Sequence, residues 1–65
     1  MEPEAVLCVN TVEDDEGIYN IKGKYYDIYE IHDDTFIIEA ESSSGVDEIQ
    51  IPKDDKDFLV VLGKE

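Results

Sequence analysis

The sequence predicts an all-β protein, a small barrel of five strands with at most one short helical turn. Its apolar residues fall in five short runs separated by polar, Gly- or Pro-containing breaks, a pattern typical of strands. No stretch keeps a 3.6-residue apolar period over three turns, so no amphipathic helix is expected. A chain of 65 residues has room for one small core, and residues 1–65 are predicted to form a single domain.

Two strands are predicted in the first half of the chain. The first is residues 5–9, and the second is residues 25–31, where Tyr and Ile suit a pleated, half-buried surface. Between them, residues 13–17 are expected to form an exposed loop, because four adjacent carboxylates repel one another and a glycine allows a turn. Residues 32–34 are a tight-turn candidate, and His32 is interpreted as a loop residue.

Three more strands are predicted, at residues 35–38, 46–51 and 58–62. The sequence Ser-Ser-Ser-Gly at residues 42–45 predicts the turn of a hairpin between the first two of them. Pro52 ends the fourth strand because its backbone nitrogen has no hydrogen to donate. Residues 53–57 are the candidate for the single helical turn.

The predicted core consists of the apolar side chains that alternation places on one face of each strand. They are Val6, Cys8, Tyr26, Ile28, Phe36, Ile38, Ile49, Ile51, Phe58 and Val60. Cys8 is expected to be an inert core thiol, and as the single cysteine it has no partner for an internal disulfide. On the same alternation, Tyr25 and Tyr29 share the outer face with Asp27.

Several short motifs resemble the small SH3-like barrel proteins of phages of Gram-positive bacteria. They are Cys8 in the first strand, Lys22-Gly23-Lys24-Tyr25-Tyr26 at the start of the second, and Pro52-Lys53 before a short turn. The resemblance covers residues 6–61 and rests on motifs of the scaffold. It implies an SH3-like barrel and a phage origin. The high charge and the acidic residues 13–16 depart from a neutral member of such a group.

The predicted location is the cytoplasm. The resemblance implies that this is the cytoplasm of a host bacterium. A single cysteine suits a reducing compartment. The N-terminal residues 1–4 are acidic rather than basic, which argues against a secretory signal. No run of 18 apolar residues is present to span a bilayer.

Charge is the strongest functional signal in the sequence. Eighteen Asp and Glu stand against five Lys, for a formal net charge of −13, whereas about 2–8 in magnitude suits a small soluble domain. Chains this acidic are usually disordered, yet this one is 42% hydrophobic. A folded surface of this charge attracts basic partners and repels nucleic acid and anionic membranes, so neither of the latter is an expected partner. The simpler interpretation is a solvated surface that only keeps the protein soluble.

We interpret the charge as imitation of a DNA backbone. Duplex DNA carries about one charge per 1.7 Å of axis and binds proteins by counterion release, and carboxylates on a rigid sheet offer Lys and Arg the same field. The predicted function is non-enzymatic inhibition of a basic host DNA-binding protein. A nucleoid-associated, histone-like protein is the favoured target because it binds backbone charge rather than base sequence. The alternative is a non-enzymatic adaptor that binds a basic protein surface or peptide, such as a polymerase or nuclease component.

The candidate partner-binding residues are acids and tyrosines, namely Glu13, Asp14, Asp15, Glu16, Asp27, Glu30, Asp33, Asp34, Tyr25 and Tyr29. Residues 14–16 and 33–34 are expected to form one contiguous part of this surface. Exposed tyrosines anchor protein contacts while acids steer the approach. The simpler interpretation of the tyrosines is that they cover a barrel end or pack in a dimer seam. A homodimer is a further expectation, because alternation leaves Leu59 and Val61 outside the small core.

Catalytic, metal and cofactor sites are not expected. Residues 13–17 lack the alternating carboxylates of a calcium loop, and Lys56 interrupts the acids at 54–57. Catalysis by two carboxylates needs a cleft, for which a barrel of 65 residues has little room. Cys8 and His32 have the side chains of a nucleophile and a general base. No catalytic pair is expected, because Cys8 lies inside an apolar strand.

Overall fold

A computed structural model describes residues 2–63 and confirms an all-β protein. Its strands are β1 (Pro3–Cys8), β2 (Val12–Asp14), β3 (Gly17–Asn20), β4 (Tyr25–Ile31), β5 (Thr35–Glu39), β6 (Glu48–Pro52) and β7 (Phe58–Leu62). The one helix in this part of the chain is a single 3-10 turn, Ser42–Ser44. No helix of the described residues is long and apolar enough to cross a membrane.

Five of the strands form one antiparallel sheet in the order β6-β5-β4-β1-β7. β4 joins the two halves of this sheet, because its first residues pair with β1 and its last residues pair with β5. In the second half, Ile38 of β5 lies opposite Ile28 on one side and Ile49 on the other. The register of β4 against β5 shifts between Ile28 and Glu30, and such a bulge at Tyr29 bends and twists the strand.

The core draws on all five strands of this sheet and confirms nine of the ten predicted members. The buried ones are Val6, Cys8, Tyr26, Phe36, Ile38, Ile51 and Phe58, with Ile28 and Ile49 packed against them. β6 and β7 are the opposite edges of the sheet, yet Ile51 and Phe58 belong to the same cluster. The sheet must therefore be strongly curved around its core.

Val60 is wrong as a core residue, because 41% of its surface is exposed. It lies opposite Val6, a core residue of β1, so alternation correctly assigns it to the inner face of the sheet. However, β7 is an edge strand with no neighbour on its other side among the described residues. Side chains there are covered from one side only. Leu59 is exposed as expected, whereas Val61 is half-buried.

The segment predicted as a loop at residues 13–17 forms a small hairpin instead. β2 and β3 pair antiparallel, with Asp14 opposite Gly17. Glu13, Asp14, Asp15 and Glu16 are nevertheless exposed, as predicted. Repulsion between adjacent acids therefore keeps the tip in solvent without preventing the strands that flank it from pairing.

The connection between β5 and β6 confirms the predicted hairpin, but it contains the 3-10 turn Ser42–Ser44. Gly45 ends this turn at φ 89°, a left-handed conformation that glycine adopts without a side-chain clash. The helical turn expected at residues 53–57 is absent. The carboxylate of Asp55 accepts a hydrogen bond from the N–H of Asp57 at 2.9 Å, and such local bonds favour turns over helix.

Two isoleucines on neighbouring strands provide a matched test of the core. Ile38 is fully buried and Ile31 is 48% exposed. Ile38→Val is expected to lower the free energy of unfolding by about 0.5–1.5 kcal/mol, because it removes a buried methyl group. Ile31→Val is expected to change it by less than about 0.5 kcal/mol. Urea denaturation measures both, and equal losses would contradict this core.

Candidate protein-binding surface

Acidic side chains cover the surface of the described chain. Residues 2–63 contain seventeen Asp and Glu and four Lys, so their net charge is also −13. Thirteen of these acids are exposed, four are half-buried and none is buried. Among the described residues, an ion pair joins Lys24 to Glu41 at 2.7 Å, and Nε2 of His32 lies 3.1 Å from Oε1 of Glu30. Most carboxylates therefore have no ion-pair partner among the described residues, and their negative charge is available to an external partner.

The two acidic groups that were predicted to be contiguous lie at opposite ends of β5. Asp14, Asp15 and Glu16 are at the tip of the β2–β3 hairpin, which touches the 3-10 turn that follows β5: a Cβ on Gly17 would lie 3.2 Å from the Cα of Ser44. Residues 33–34 form the turn that precedes β5. Since β5 has five residues, about 16 Å of strand separates the two groups. The sequence alone does not show at which end of β5 the β2–β3 hairpin lies.

Asp14 organises the hairpin tip. Its Oδ1 accepts a hydrogen bond from the N–H of Glu16 at 2.8 Å, and its Oδ2 accepts one from the hydroxyl of Tyr19 at 2.6 Å. The bond from Tyr19 is the main reason that the pKa of Asp14 lies below its ordinary value, and the same bond raises the pKa of Tyr19. The tip therefore presents its negative charge from a fixed turn.

A second acidic group lies on the outer face of β4, β5 and the start of β6. We call it the tyrosine face, and it consists of Tyr25, Asp27, Tyr29, Glu39, Asp47 and Glu48. Ile28 and Ile38 lie opposite each other and point inward, so their outward neighbours Asp27 and Glu39 lie side by side. Desolvation raises the pKa of Tyr29, and the charges of the four acids of this face raise it further. The ring of Tyr29 thus sits within a field of four carboxylates.

Glu39 and Glu48 form a like-charge pair across the β5–β6 ladder. Directly opposed like charges destabilise a sheet. No Lys of residues 2–63 forms an ion pair with either carboxylate. The pair therefore costs stability in the isolated protein, and a cation bound beside it would relieve that cost.

An open groove of about 530 Å³ runs along the tyrosine face. Its lining consists of Lys24, Tyr25, Tyr26, Tyr29, Glu39, Ala40, Glu41, Ser42 and Asp47. Tyr25 and Tyr29 are 63% and 50% exposed, which confirms the outward orientation predicted for them. The tyrosines and several of the acids thus share one concave surface.

A hydrogen-bonded network closes one end of this groove. The hydroxyl of Tyr26 donates to Oε2 of Glu41 at 2.6 Å and accepts from the N–H of Ile21 at 2.7 Å. Nζ of Lys24 donates to the same Oε2 at 2.7 Å. Desolvation, followed by the bond to Glu41, raises the pKa of Tyr26 to about 12. The bonds from Lys24 and Tyr26 in turn lower the pKa of Glu41.

Glu39, Asp47 and Glu48 belong to this surface but were not among the predicted binding residues. A signal for two of them exists in the sequence. Glu39 lies four residues before Ser43, and Glu48 lies four residues after Ser44, so a hairpin centred on that turn places them opposite each other. Asp47 has no such signal, because it lies in the irregular connection before β6.

The structure does not bring Cys8 and His32 together. Cys8 is buried and lies beside Lys24, which precedes β4, whereas His32 follows the end of β4. The thiol donates to the carbonyl oxygen of Asn10 at 3.0 Å, and burial raises the pKa of Cys8. These features confirm that Cys8 is a buried core thiol. In the described part of the chain, no three His, Cys, Asp or Glu side chains converge to hold a metal ion.

Comparison with known proteins finds no relative of this chain. No protein-family model matches the sequence, and neither a curated protein nor a solved structure is significantly similar to it. The resemblance to phage barrel proteins therefore stays a prediction.

The Tyr26 network predicts a loss of stability at alkaline pH. The pKa of Tyr26 rises from about 10 in the unfolded chain to about 12 in the folded one. Its contribution to stability is therefore fully present below about pH 10 and is lost as the pH rises towards about 12. Urea denaturation across this range measures the loss, which Tyr26→Phe should reduce. An unchanged loss in that variant would contradict the network.

Proposed function

We propose that the protein is a DNA mimic that binds and inhibits a basic host DNA-binding protein. The favoured target is a nucleoid-associated, histone-like protein, and the mode of action is occupation of its DNA-binding surface without catalysis. The observation that carries the proposal is the density of accessible carboxylates on a small folded body. All seventeen acids of residues 2–63 are at least partly exposed, on a body with extents of 37 × 21 × 18 Å.

The charge density of this body approaches that of duplex DNA. Its longest extent of 37 Å is close to one turn of B-DNA, about 34–36 Å. A net charge of −13 spread over that length is about one charge per 2.8 Å, against about one per 1.7 Å of duplex axis. The protein thus carries more than half of the linear charge density of DNA. A field of this sign attracts basic proteins of the kind that bind the DNA backbone.

The proposed contact surface runs from the hairpin tip to the tyrosine face. The tip touches the 3-10 turn at Ser44, and Ser42 of the same turn lines the groove. Glu13, Asp14, Asp15 and Glu16 therefore continue into the acids of the tyrosine face. Glu30, Asp33 and Asp34 lie towards the other end of β5 and contribute only flanking charge in this proposal.

We also propose that the curved sheet is an SH3-like barrel and that the protein acts in the cytoplasm of a phage-infected bacterium. The shared core of the two edge strands β6 and β7 supports closure of the sheet. The predicted resemblance supports the phage origin, and through it the cytoplasmic location.

The exposed tyrosines favour a second candidate function. An adaptor that binds a basic protein surface or peptide, such as a polymerase or nuclease component, needs anchoring side chains at the centre of its contact. Tyr25 and Tyr29 are exposed in a groove, which suits such a role. Binding by an adaptor would depend on these rings and little on salt.

Two triple variants with equal charge changes test the mimic. The face variant carries Asp27→Asn, Glu39→Gln and Glu48→Gln, and the control variant carries Asp33→Asn, Asp34→Asn and Asp54→Asn. Each exposed ion pair contributes about 0–1 kcal/mol, so the face variant should bind a nucleoid protein roughly tenfold more weakly. The control should bind nearly as the wild type does, because screening acts over about 8 Å. Affinity measured over a series of salt concentrations checks both.

Capture of partners from a bacterial lysate separates the two candidate functions. Recovery of nucleoid proteins, released by moderate salt and displaced by duplex DNA, is the result expected of a mimic. A partner that resists salt, ignores DNA and is lost with Tyr25→Ala or Tyr29→Ala would indicate the adaptor. Equal binding by the wild type and the face variant would refute DNA mimicry on the proposed surface.

We further propose that the protein forms a homodimer through β7. This edge strand contains no charged residue, and its Leu59 and Leu62 are 58% and 52% exposed. Two bodies of charge −13 repel each other, so an uncharged strand is where they approach at least cost. Light scattering at physiological salt should show a dimer that Leu59→Lys dissociates. The control Ile18→Lys, on the hairpin, should leave it intact, and a wild-type monomer at high micromolar concentration would refute the dimer.

A further inference from the structure

One end of the groove already holds a cation that belongs to the chain itself. Nζ of Lys24 lies 2.7 Å from Oε2 of Glu41 and 5.8 Å from the centre of the Tyr26 ring. A cation within about 6 Å of a ring centre is attracted by the electrons of the ring face. This end of the groove thus combines an aromatic ring with a carboxylate, and the ammonium group of Lys24 lies against both.

The rest of the groove repeats this combination without a cation from residues 2–63. The rings of Tyr25 and Tyr29 are exposed, and Glu39 and Asp47 line the same groove. The ladder holds Glu48 directly opposite Glu39, and this repulsion is relieved by a cation placed beside the pair. Aromatic surface and uncompensated negative charge therefore favour one class of ligand, an organic cation.

Among the side chains of a basic protein, arginine fits this groove best. Its planar guanidinium stacks on aromatic faces and donates two parallel hydrogen bonds to a carboxylate, whereas lysine is a strongly hydrated point charge. The groove volume of about 530 Å³ is within the range of ligand sites, about 300–1,000 Å³. The groove therefore has room for an arginine side chain.

We infer that the groove binds one arginine side chain of the partner, with its guanidinium between Tyr29 and the carboxylates of Glu39 and Asp47. This inference rests on the proposed function for the source of the arginine, a basic DNA-binding protein. It adds a specific anchor to the diffuse attraction of the acidic surface. The DNA mimic would then be selective for targets with an accessible arginine, beyond the attraction that any basic protein feels.

A short peptide tests the groove without the partner. The isotope-labelled full chain is titrated with acetyl-Gly-Arg-Gly-amide and with its citrulline counterpart, which has the same shape and no charge, while amide NMR shifts are followed. Saturable shifts at Tyr29, Glu39 and Asp47, with at least tenfold weaker binding of the citrulline peptide, are expected. Equal binding of both peptides, or equal shifts at Asp33 and Asp34, would overturn the inference.

Substitutions at Tyr29 separate the ring from general charge. Tyr29→Leu keeps an apolar side chain but removes the ring, and it should weaken the arginine peptide about two- to fivefold. Tyr29→Phe keeps the ring and should bind as the wild type does. Because Tyr29 is half exposed, neither change threatens the fold. Unchanged affinity in Tyr29→Leu would show that no ring contact forms.

The outcomes for the groove and for DNA mimicry are distinguishable. If a nucleoid protein is captured in a salt-sensitive manner but the arginine peptide causes no localised shifts, the groove inference is wrong and mimicry stands. If the peptide binds in the groove but no DNA-binding protein is captured, the arginine site stands and the proposed function is wrong.

Discussion

The double pairing of β4 is the interaction on which the rest of this structure depends. Its first residues pair with β1 and its last residues pair with β5. One strand therefore links both halves of the sheet, and the sheet curves around a single core. The same strand buries Tyr26 and exposes Tyr25 and Tyr29. The bulge at Tyr29 accompanies the change of partner, and the groove lies along this part of β4. Scaffold and candidate site thus share one element.

A small core must hold this surface together against its own repulsion. Seven buried side chains form the core, while a net charge of −13 favours expansion. Local bonds moderate the repulsion at particular points: Tyr19 binds the carboxylate of Asp14, and Lys24 with Tyr26 binds that of Glu41. The acids of the tyrosine face lack such compensation within residues 2–63. Their negative charge therefore stays at least partly accessible to solvent.

Part of the candidate site follows from the sequence. Alternation within residues 25–31 correctly places Tyr25, Asp27 and Tyr29 on one outer face, because successive side chains of a strand point to opposite sides. Counting outward from the Ser43–Ser44 centre gives the opposition of Glu39 and Glu48. The separation of residues 14–16 from residues 33–34 does not follow, because it depends on where the β2–β3 hairpin folds back onto the 3-10 turn.

The sequence by itself determined the five strands of the main sheet, their inward and outward sides, the burial of Cys8 and the excess of negative charge, since each of these follows from local composition and the two-residue period. Tertiary structure alone decided three other features. Val60 is exposed because β7 is an edge of the sheet. The hairpin tip adjoins the 3-10 turn because Gly17 packs against Ser44. The groove is lined by residues of β4, of the end of β5 and of the connection that follows β5. The strand order that brings these segments together arises from contacts between residues far apart in the chain.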